Sequence, residues 1–133
     1  MDRSAAQGAC ENRGGARNRS RHKVRWLEAQ GLLESARIRE ALLKVRREDF
    51  VPREYRDYAY EEVPLPLPGA MATISCPHSY PLLYEPLGLD RGQRFLEVGT
   101  GSGYGAAVAR EVVGNAGLVV SVENEAEVAG ETL

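Results

Sequence analysis

The sequence predicts an α/β domain with a parallel sheet, approached through an N-terminal helical cap, and three observations carry that reading. First, the run Arg94 to Val98 holds Phe95, Leu96 and Val98 and stops at Gly99, Gly101 and Gly103. A stretch of small residues (Ala106, Ala107, Ala109) and a second apolar run, Leu118 to Val122, follow. A buried strand, a glycine turn, a helix packed closely through small side chains and a second buried strand make a βαβ unit. Second, Ile38, Ala41, Leu42 and Val45 recur at i, i+3, i+4 and i+7, the apolar stripe of an amphipathic helix. Third, Pro64, Pro66 and Pro68 alternate with Leu65 and Leu67. Proline at every second position excludes both a helix and a central strand.

Bulk properties narrow the class without naming a function. The chain has 133 residues, one domain's worth and small for an α/β enzyme. Its 43% hydrophobic and 27% charged residues are ordinary for a soluble globular protein. The formal net charge of −2 gives no global argument for nucleic acid or membrane, although the first quarter of the chain is basic and the rest acidic. Cys10 and Cys76, the two cysteines, have no metal-ligand or redox spacing, which fits a reduced cytoplasmic protein. No apolar run approaches the ~20 residues of a membrane helix, and the N-terminus has no secretory-type apolar core.

Element by element, residues 1–20 are rich in Gly, Ala, Asn, Ser and Arg without apolar periodicity and read as a disordered basic tail. Arg13, Arg17, Arg19, Arg21, Lys23 and Arg25 run without an intervening acid. That run suits either an arm for nucleic acid or a solvated tail; no aromatic precedes Trp26, so a nucleic-acid role is not expected. The cap spans 21–52: a short helix from Val24 to Gln30 ended by Gly31, then a second helix capped by Ser35. From 53 to 92 come an extended strap over the protein's own surface, a loop from Gly69 to Pro77, and a helix from Ser79 through Leu87, with Pro81 in its first turn. Residues 93–133 carry the strand Arg94 to Val98, a helix from about Gly103 to Val113, the strand Leu118 to Val122, Glu123, and the start of another helix at Glu125.

The glycine turn is where chemistry is expected. A strand that turns through glycine into a helix collects bare backbone N–H groups at a positive helix end, with no Cβ in a ligand's way. A nucleoside-containing cofactor suits such a surface, and two kinds compete. A dinucleotide fingerprint, Gly-x-Gly-x-x-Gly/Ala, fits only in the shifted register Gly101-Ser-Gly103-Tyr-Gly105-Ala106. That register leaves Glu97 and Gly99 without a role. The alternative, Glu-x-Gly-x-Gly-x-Gly from Glu97 to Gly103, resembles the first motif of class I S-adenosylmethionine-dependent methyltransferases. There Glu97 can accept from a cofactor ammonium group or ordered water. Glu123, at the tip of the second strand, can accept two vicinal ribose hydroxyls in either reading.

Upstream segments narrow the resemblance. Glu48-Asp-Phe-Val-Pro52, Tyr58-Ala-Tyr-Glu-Glu62, Pro64-Leu-Pro-Leu67, Ala72-Thr-Ile-Ser-Cys-Pro-His78 and Leu96-Glu-Val-Gly-Thr-Gly-Ser-Gly-Tyr104 occur in this order. Together, from about Lys23 to Glu123, they are similar to the protein-L-isoaspartate O-methyltransferase family, which methylates the misplaced carboxyl of isoaspartyl residues. The resemblance implies a Rossmann-like class I methyltransferase fold with an N-terminal helical cap, S-adenosyl-L-methionine as cofactor, and isoaspartyl proteins or peptides as substrate. By position, Ser75 matches the family's active-site serine and a substrate contact, with His78 a further candidate contact. Thr73 and Ile74 match the loop over the cofactor; Glu97, Gly99, Gly101 and Gly103 match the cofactor motif, and Glu123 the ribose ligand. No metal is implied. The sequence departs from the family at Cys76, where Ala or Gln is usual, at Ser79-Tyr80, and in a Pro68-to-Met71 stretch one residue longer than in some relatives.

The chemistry implied is undemanding in protons. A carboxylate with an unperturbed pKa near 3.9 is already ionised at neutral pH, so attack on a sulfonium methyl needs alignment and exclusion of water rather than a general base. The class needs about seven strands, whereas this chain supplies two. A fragment, truncated after the second strand and with little or no activity of its own, is therefore expected. A fragment of a nicotinamide-dependent oxidoreductase and a non-enzymatic RNA-binding piece are the alternative readings. A monomer without membrane contact completes the expectation.

Overall fold

The computed structural model describes residues 3–69, 71–126 and 128–129, with side chains from residue 14 onward apart from the gaps. Helix α1 runs Arg3–Ala29 and α2 runs Ala36–Lys44. Short 3-10 turns follow at Arg47–Phe50 and Arg53–Tyr58. Strand β1 (Leu65–Pro66) pairs antiparallel with β2 (Thr73–Ile74). Then come α3 (Ser79–Tyr84), β3 (Arg94–Val98), α4 (Tyr104–Val113) and β4 (Leu118–Val122). Strands β3 and β4 are parallel, in register from Arg94 opposite Leu118 to Val98 opposite Val122.

The first helix is much longer than the sequence suggests. Where a disordered tail through residue 20 is expected, α1 begins at Arg3. Ala16, Ser20, Val24 and Leu27 are all buried. They lie at i, i+4, i+8 and i+11, so one helix face continues from the cap into the supposed tail. Two of the four are small or polar, which hides the stripe from a reading based on hydrophobicity. Two residues past the end of the helix, Gly31, with a φ of 71°, releases the chain from the turn.

Helix α2 follows its sequence signals closely. The Ser35 side chain accepts from the Ile38 backbone N–H at 3.3 Å, and Ile38, Ala41 and Leu42 are buried. The start of α2 is also tied to the end of α3, because Glu85 Oε1 accepts from the backbone N–H groups of Glu34 and Ser35 at 2.9 and 2.8 Å. An ion pair from Lys44 to Glu111 at 2.8 Å joins α2 to α4.

The proline strap lies on its own domain. Leu65 and Leu67 point inward and join Val51, Ala59, Ile74 and Val128 in a small second core, while Pro66 faces outward. The missing proline N–H groups cost nothing on an edge, and the two-residue ladder to Thr73–Ile74 adds strand pairing where a plain loop is expected. Helix α3 is shorter than predicted: it ends at Tyr84, with Glu85 closing onto the Pro81 carbonyl, because Pro86 cannot continue it. Ser79 opens α3 but its side chain caps nothing; His78 holds the cap position.

The βαβ unit matches its predicted bounds, but its burial is one-sided. Phe95 and Val119 pack toward the main core, where Val108, Ala109, Val112 and Val113 of α4 are fully buried. Each of the three valines contributes roughly 1.5–3 kcal/mol. Leu96, Val98, Leu118, Val120 and Val122 lie on the other face and are exposed, Val98 by 81% and Leu96 by 64%. The sequence reads both strands as buried on two sides; among the described residues only α4's side is covered. That second face is built for an opposing layer.

One close approach fixes how α4 hands over to β4. A Cβ at Gly117 would lie within 2.7 Å of the Gln93 carbonyl oxygen and closer still to Val113. Backbone would have to move to admit it, so Gly117→Ala should destabilise the fold by about 1–3 kcal/mol. Urea denaturation of the two proteins measures the difference, and an unchanged midpoint would mean that the turn is slack.

Candidate functional site

The turn after β3 uses its glycines for a physical reason. Gly99, Gly101 and Gly103 all adopt positive φ, at 90°, 55° and 86°, which side-chain-bearing residues rarely tolerate. Gly99 and Thr100 donate their backbone N–H groups to the Val122 carbonyl at 2.8 and 3.1 Å, fastening the turn to the tip of β4. Gly103 then caps α4, accepting from Ala107 at 3.0 Å. A Cβ at Gly99 would meet no heavy atom within 4 Å, so this part of the turn borders open space.

The two acids expected here are placed at the turn in different states. Glu97 points to the α4 side of the sheet, where its Oε1 accepts from the Ser121 hydroxyl at 2.7 Å. Ser121 in turn shares a 2.7 Å hydrogen bond with Thr100. Burial pushes the Glu97 carboxyl above its ordinary value, and the Ser121 bond only partly offsets this. Glu123 is partly exposed, and its Oε2 accepts from the Gly101 N–H at 2.9 Å. Its Oε1 accepts from Asn124 and Glu125 at 3.0 and 3.1 Å. These backbone donors, Gly101 first, hold its pKa below the usual carboxylate range. Each carboxylate oxygen carries further lone-pair capacity, so Glu123 can accept from a ligand while it braces the turn.

A cleft of about 200 Å³ opens beside the turn, lined by Asp49, Val51, Leu67, Pro68, Gly101 and Ser102 among others. This is smaller than the ~300–1,000 Å³ typical of a small-molecule site. The glycine turn and the strap supply one wall each.

The Ser75 loop is set by a buried arginine that the sequence reading passed over. Arg47 has no exposed surface. Its Nη2 donates to the Ser75 carbonyl at 2.6 Å, and its Nε donates to the Ala59 carbonyl. The guanidinium lies 5.7 Å from the Tyr80 ring centroid and 4.9 Å from that of Tyr104. Ser75 itself is exposed, and its hydroxyl bonds no described residue. Thr73 is exposed, whereas Ile74 is buried in the second core. Ile74 thus anchors the loop, and Thr73 and Ser75 look outward on either side of it.

His78 is neither free nor simply packed. Its Nδ1 lies 2.6 Å from Glu62 Oε2, and Lys23 Nζ holds the other oxygen of Glu62 at 3.1 Å. Glu62 stands in the Tyr58-to-Glu62 motif, but nothing in that motif distinguishes it from Glu61. Ser121, Arg47 and Tyr84, whose hydroxyl donates to the Gly105 carbonyl at 2.9 Å, were also missed. Each acts through a contact between segments far apart in sequence.

Comparison with known proteins now decides the family. The family model for protein-L-isoaspartate(D-aspartate) O-methyltransferase matches residues 18–132. The chain belongs to that family. A protein-L-isoaspartate O-methyltransferase of Ignicoccus hospitalis is 48% identical over 111 residues, covering 84% of this chain and 52% of that protein. The enzyme of the same name from Pyrobaculum arsenaticum is 52% identical over 97 residues, covering 73% of this chain and 47% of its own length. The chain spans about half the length of the curated relatives it matches. A solved protein-L-isoaspartate O-methyltransferase superposes with a TM-score of 0.76 at 37% identity, covering 85% of this chain and 36% of that one. A second, from Plasmodium falciparum in complex with S-adenosyl-L-homocysteine, shares the fold with a TM-score of 0.72 at 21% identity, covering 84% of this chain and 51% of its own. The fold is thus the Rossmann-like class I methyltransferase fold, and the nicotinamide reading of the glycines falls.

The Glu62 pairing has a pH signature. Burial would raise the Glu62 pKa, but hydrogen bonds from His78 and Lys23, together with the Lys23 charge, outweigh it and hold the carboxyl below its ordinary 4.5. A depressed carboxyl stabilises the fold fully above the unfolded value, and that contribution is lost as pH falls through the folded one. The stability difference between wild type and Glu62→Gln should therefore be constant above pH 4.5 and shrink below it. Urea titrations across pH 3 to 7 measure it, and a difference that grows on acidification would contradict the assignment.

Proposed function

We propose that this chain carries the cap, the substrate loop and one half of the cofactor site of an S-adenosylmethionine-dependent methyltransferase acting on the free carboxyl of isoaspartyl residues in damaged proteins. The observation that carries the reading is the joint placement of Glu97 and Glu123 around three left-handed glycines, within a chain of this family.

The residues fit the cofactor. Gly99 leaves backbone open to a ligand with no Cβ in the way. Glu97, raised by burial and paired among the described residues only with hydroxyl Ser121, gains from a cationic group such as an amino-acid ammonium. Glu123 offers carboxylate oxygens to vicinal ribose hydroxyls. When bound, S-adenosylmethionine supplies a methyl group on a sulfonium centre. An ionised acceptor carboxylate would receive that methyl while Glu97, the glycine turn and Glu123 hold the donor in place. No proton changes place, so the site needs no base. Ser75 would hold the acceptor carboxylate by one hydrogen bond, with Thr73 and Ile74 of the same loop against the cofactor and His78 at the edge of the substrate. Alignment of oxygen, methyl and sulfur is the main catalytic effect. No helix among the described residues is long and apolar enough to cross a membrane, and a cytoplasmic monomer is part of this proposal.

Two experiments test this reading. Calorimetry with S-adenosylhomocysteine should show binding that Glu123→Gln weakens about ten-fold, because charge-assisted hydrogen bonds to the ribose hydroxyls are lost. No heat at millimolar ligand would leave this chain without a working half-site. Gly105→Ala separates ligand binding from folding. Its Cβ would overlap Glu97 Oε2, so that flexible carboxylate must swing away, while the Tyr84 hydroxyl at 3.1 Å and the Tyr80 ring at 3.2 Å need only yield slightly. Affinity for the same ligand should fall while the urea midpoint changes little; equal loss of both would place Glu97 in the scaffold instead.

A further inference from the structure

Outside the glycine turn, the chain gathers a second set of chemistry-bearing side chains. Glu62, Cys76 and His78 bring one carboxylate oxygen, one thiol sulfur and one imidazole nitrogen within 4.8 Å of one another. All three are partly exposed, and Cys76 is a free thiol. From this geometry we infer that Glu62, Cys76 and His78 form a binding site for a soft divalent cation of the zinc type.

The donor set is selective. Zinc takes thiolate sulfur at ~2.3 Å, imidazole nitrogen at ~2.0–2.1 Å and carboxylate oxygen at ~2.0–2.2 Å. Sites with three protein ligands leave a fourth position for water or another group. Thiolate and imidazole together favour zinc, copper or cobalt over magnesium and calcium, which prefer oxygen alone. Tetrahedral ligands at those bond lengths stand roughly 3.3–3.8 Å apart. An ion would draw the most widely separated donors, up to 4.8 Å apart, together by about an ångström and part Glu62 Oε2 from His78 Nδ1, now 2.6 Å apart, by roughly 0.7 Å, both within reach of side-chain rotation. Cys76 and His78 sit two apart on one loop, and Glu62 comes from the far side of the strap.

The surroundings already orient the carboxylate. Lys23 Nζ holds Glu62 Oε1 at 3.1 Å, leaving Oε2 turned toward His78. That is the outer-shell arrangement that fixes a metal-binding carboxylate. Binding would replace the Glu62–His78 hydrogen bond by two metal bonds and release the thiol proton to solvent. An ion here cross-links residues 76–78 to residue 62 and so stiffens the loop that presents Ser75. Stiffening would slow the exchange of substrate, a consequence that rests on the function proposed above; the site itself does not.

Cobalt(II) titration of the full chain tests the inference directly, with Cys10→Ser in parallel so that Cys76 is the only thiol. One equivalent of cobalt should produce a thiolate-to-metal charge-transfer band in the near ultraviolet, and zinc should abolish it by displacement. Cys76→Ser should remove the band. His78→Ala and Glu62→Gln should each weaken zinc at least about ten-fold, the scale seen when even outer-shell partners are lost. Circular dichroism of each variant establishes that it is folded, and the Cys10→Ser protein retains all three ligands. A chain that shows no band with excess cobalt would overturn the site. So would a band of unchanged affinity in both His78→Ala and Glu62→Gln, which would make Cys76 a thiol acting alone. Loss of S-adenosylhomocysteine binding, by contrast, bears only on the proposed function.

Discussion

Much of this molecule is arranged around the buried guanidinium of Arg47. It donates to the carbonyls of Ala59 and Ser75, which belong to segments that share no secondary structure, and it presents its face to Tyr80 and Tyr104. The cap, the strap, α3 and α4 thus meet at one cation. Two backbone carbonyls and two rings stabilise it, while its Nη1 has no partner among the described residues. A lysine could not reproduce this, since its ammonium lacks the planar fork and the stacking face. The orientation of the Ser75 loop is consequently decided from the interior, by a residue that never reaches the surface.

A similar logic runs through the polar network at the sheet. Ser121 links Glu97 on β3 to Thr100 on the turn, and Glu123 links the end of β4 to Gly101. Both acids therefore have a structural role as well as the proposed ligand role. Burial keeps Glu97 poorly satisfied as an anion, which favours a cationic partner; Glu123 is partly exposed and braced by backbone donors. One acid suits charge recognition and the other suits hydroxyls.

The two faces of the sheet carry different meanings. The α4 side is closed by Val108, Ala109, Val112 and Val113 with the aromatic cluster of Phe50, Tyr80, Tyr84, Phe95 and Tyr104. The opposite side presents five large aliphatic side chains to solvent. In a doubly wound α/β fold both faces of a parallel sheet are covered. The wholly apolar composition of Leu118 to Val120 thus belongs to a more extensive architecture than these elements provide.

Local periodicity and turn chemistry made most of the architecture readable from the sequence. The bounds of β3 and β4, the Ser35 cap, the α2 stripe and the glycine turn all follow from interactions within a few residues, where spacing alone decides which groups meet. The candidate cofactor residues were legible for the same reason, as strand ends and turns that the chain direction fixes. The length of α1 was not, because its buried face begins with Ala16 and Ser20, which carry little hydrophobic signal until a neighbouring surface covers them. Nor were Arg47, Glu62 and Ser121: each gains its role from a partner at least twelve residues away, and side-chain spacing says nothing about which loops fold onto which. The sequence by itself determined the parallel βαβ unit, its glycine turn and the family motifs, because those are short-range. The tertiary structure alone decided that Arg47 holds the Ser75 loop, that Glu62 meets His78 and Cys76, and that one face of the sheet is left uncovered by the described residues. Those depend on distant segments sharing one desolvated space.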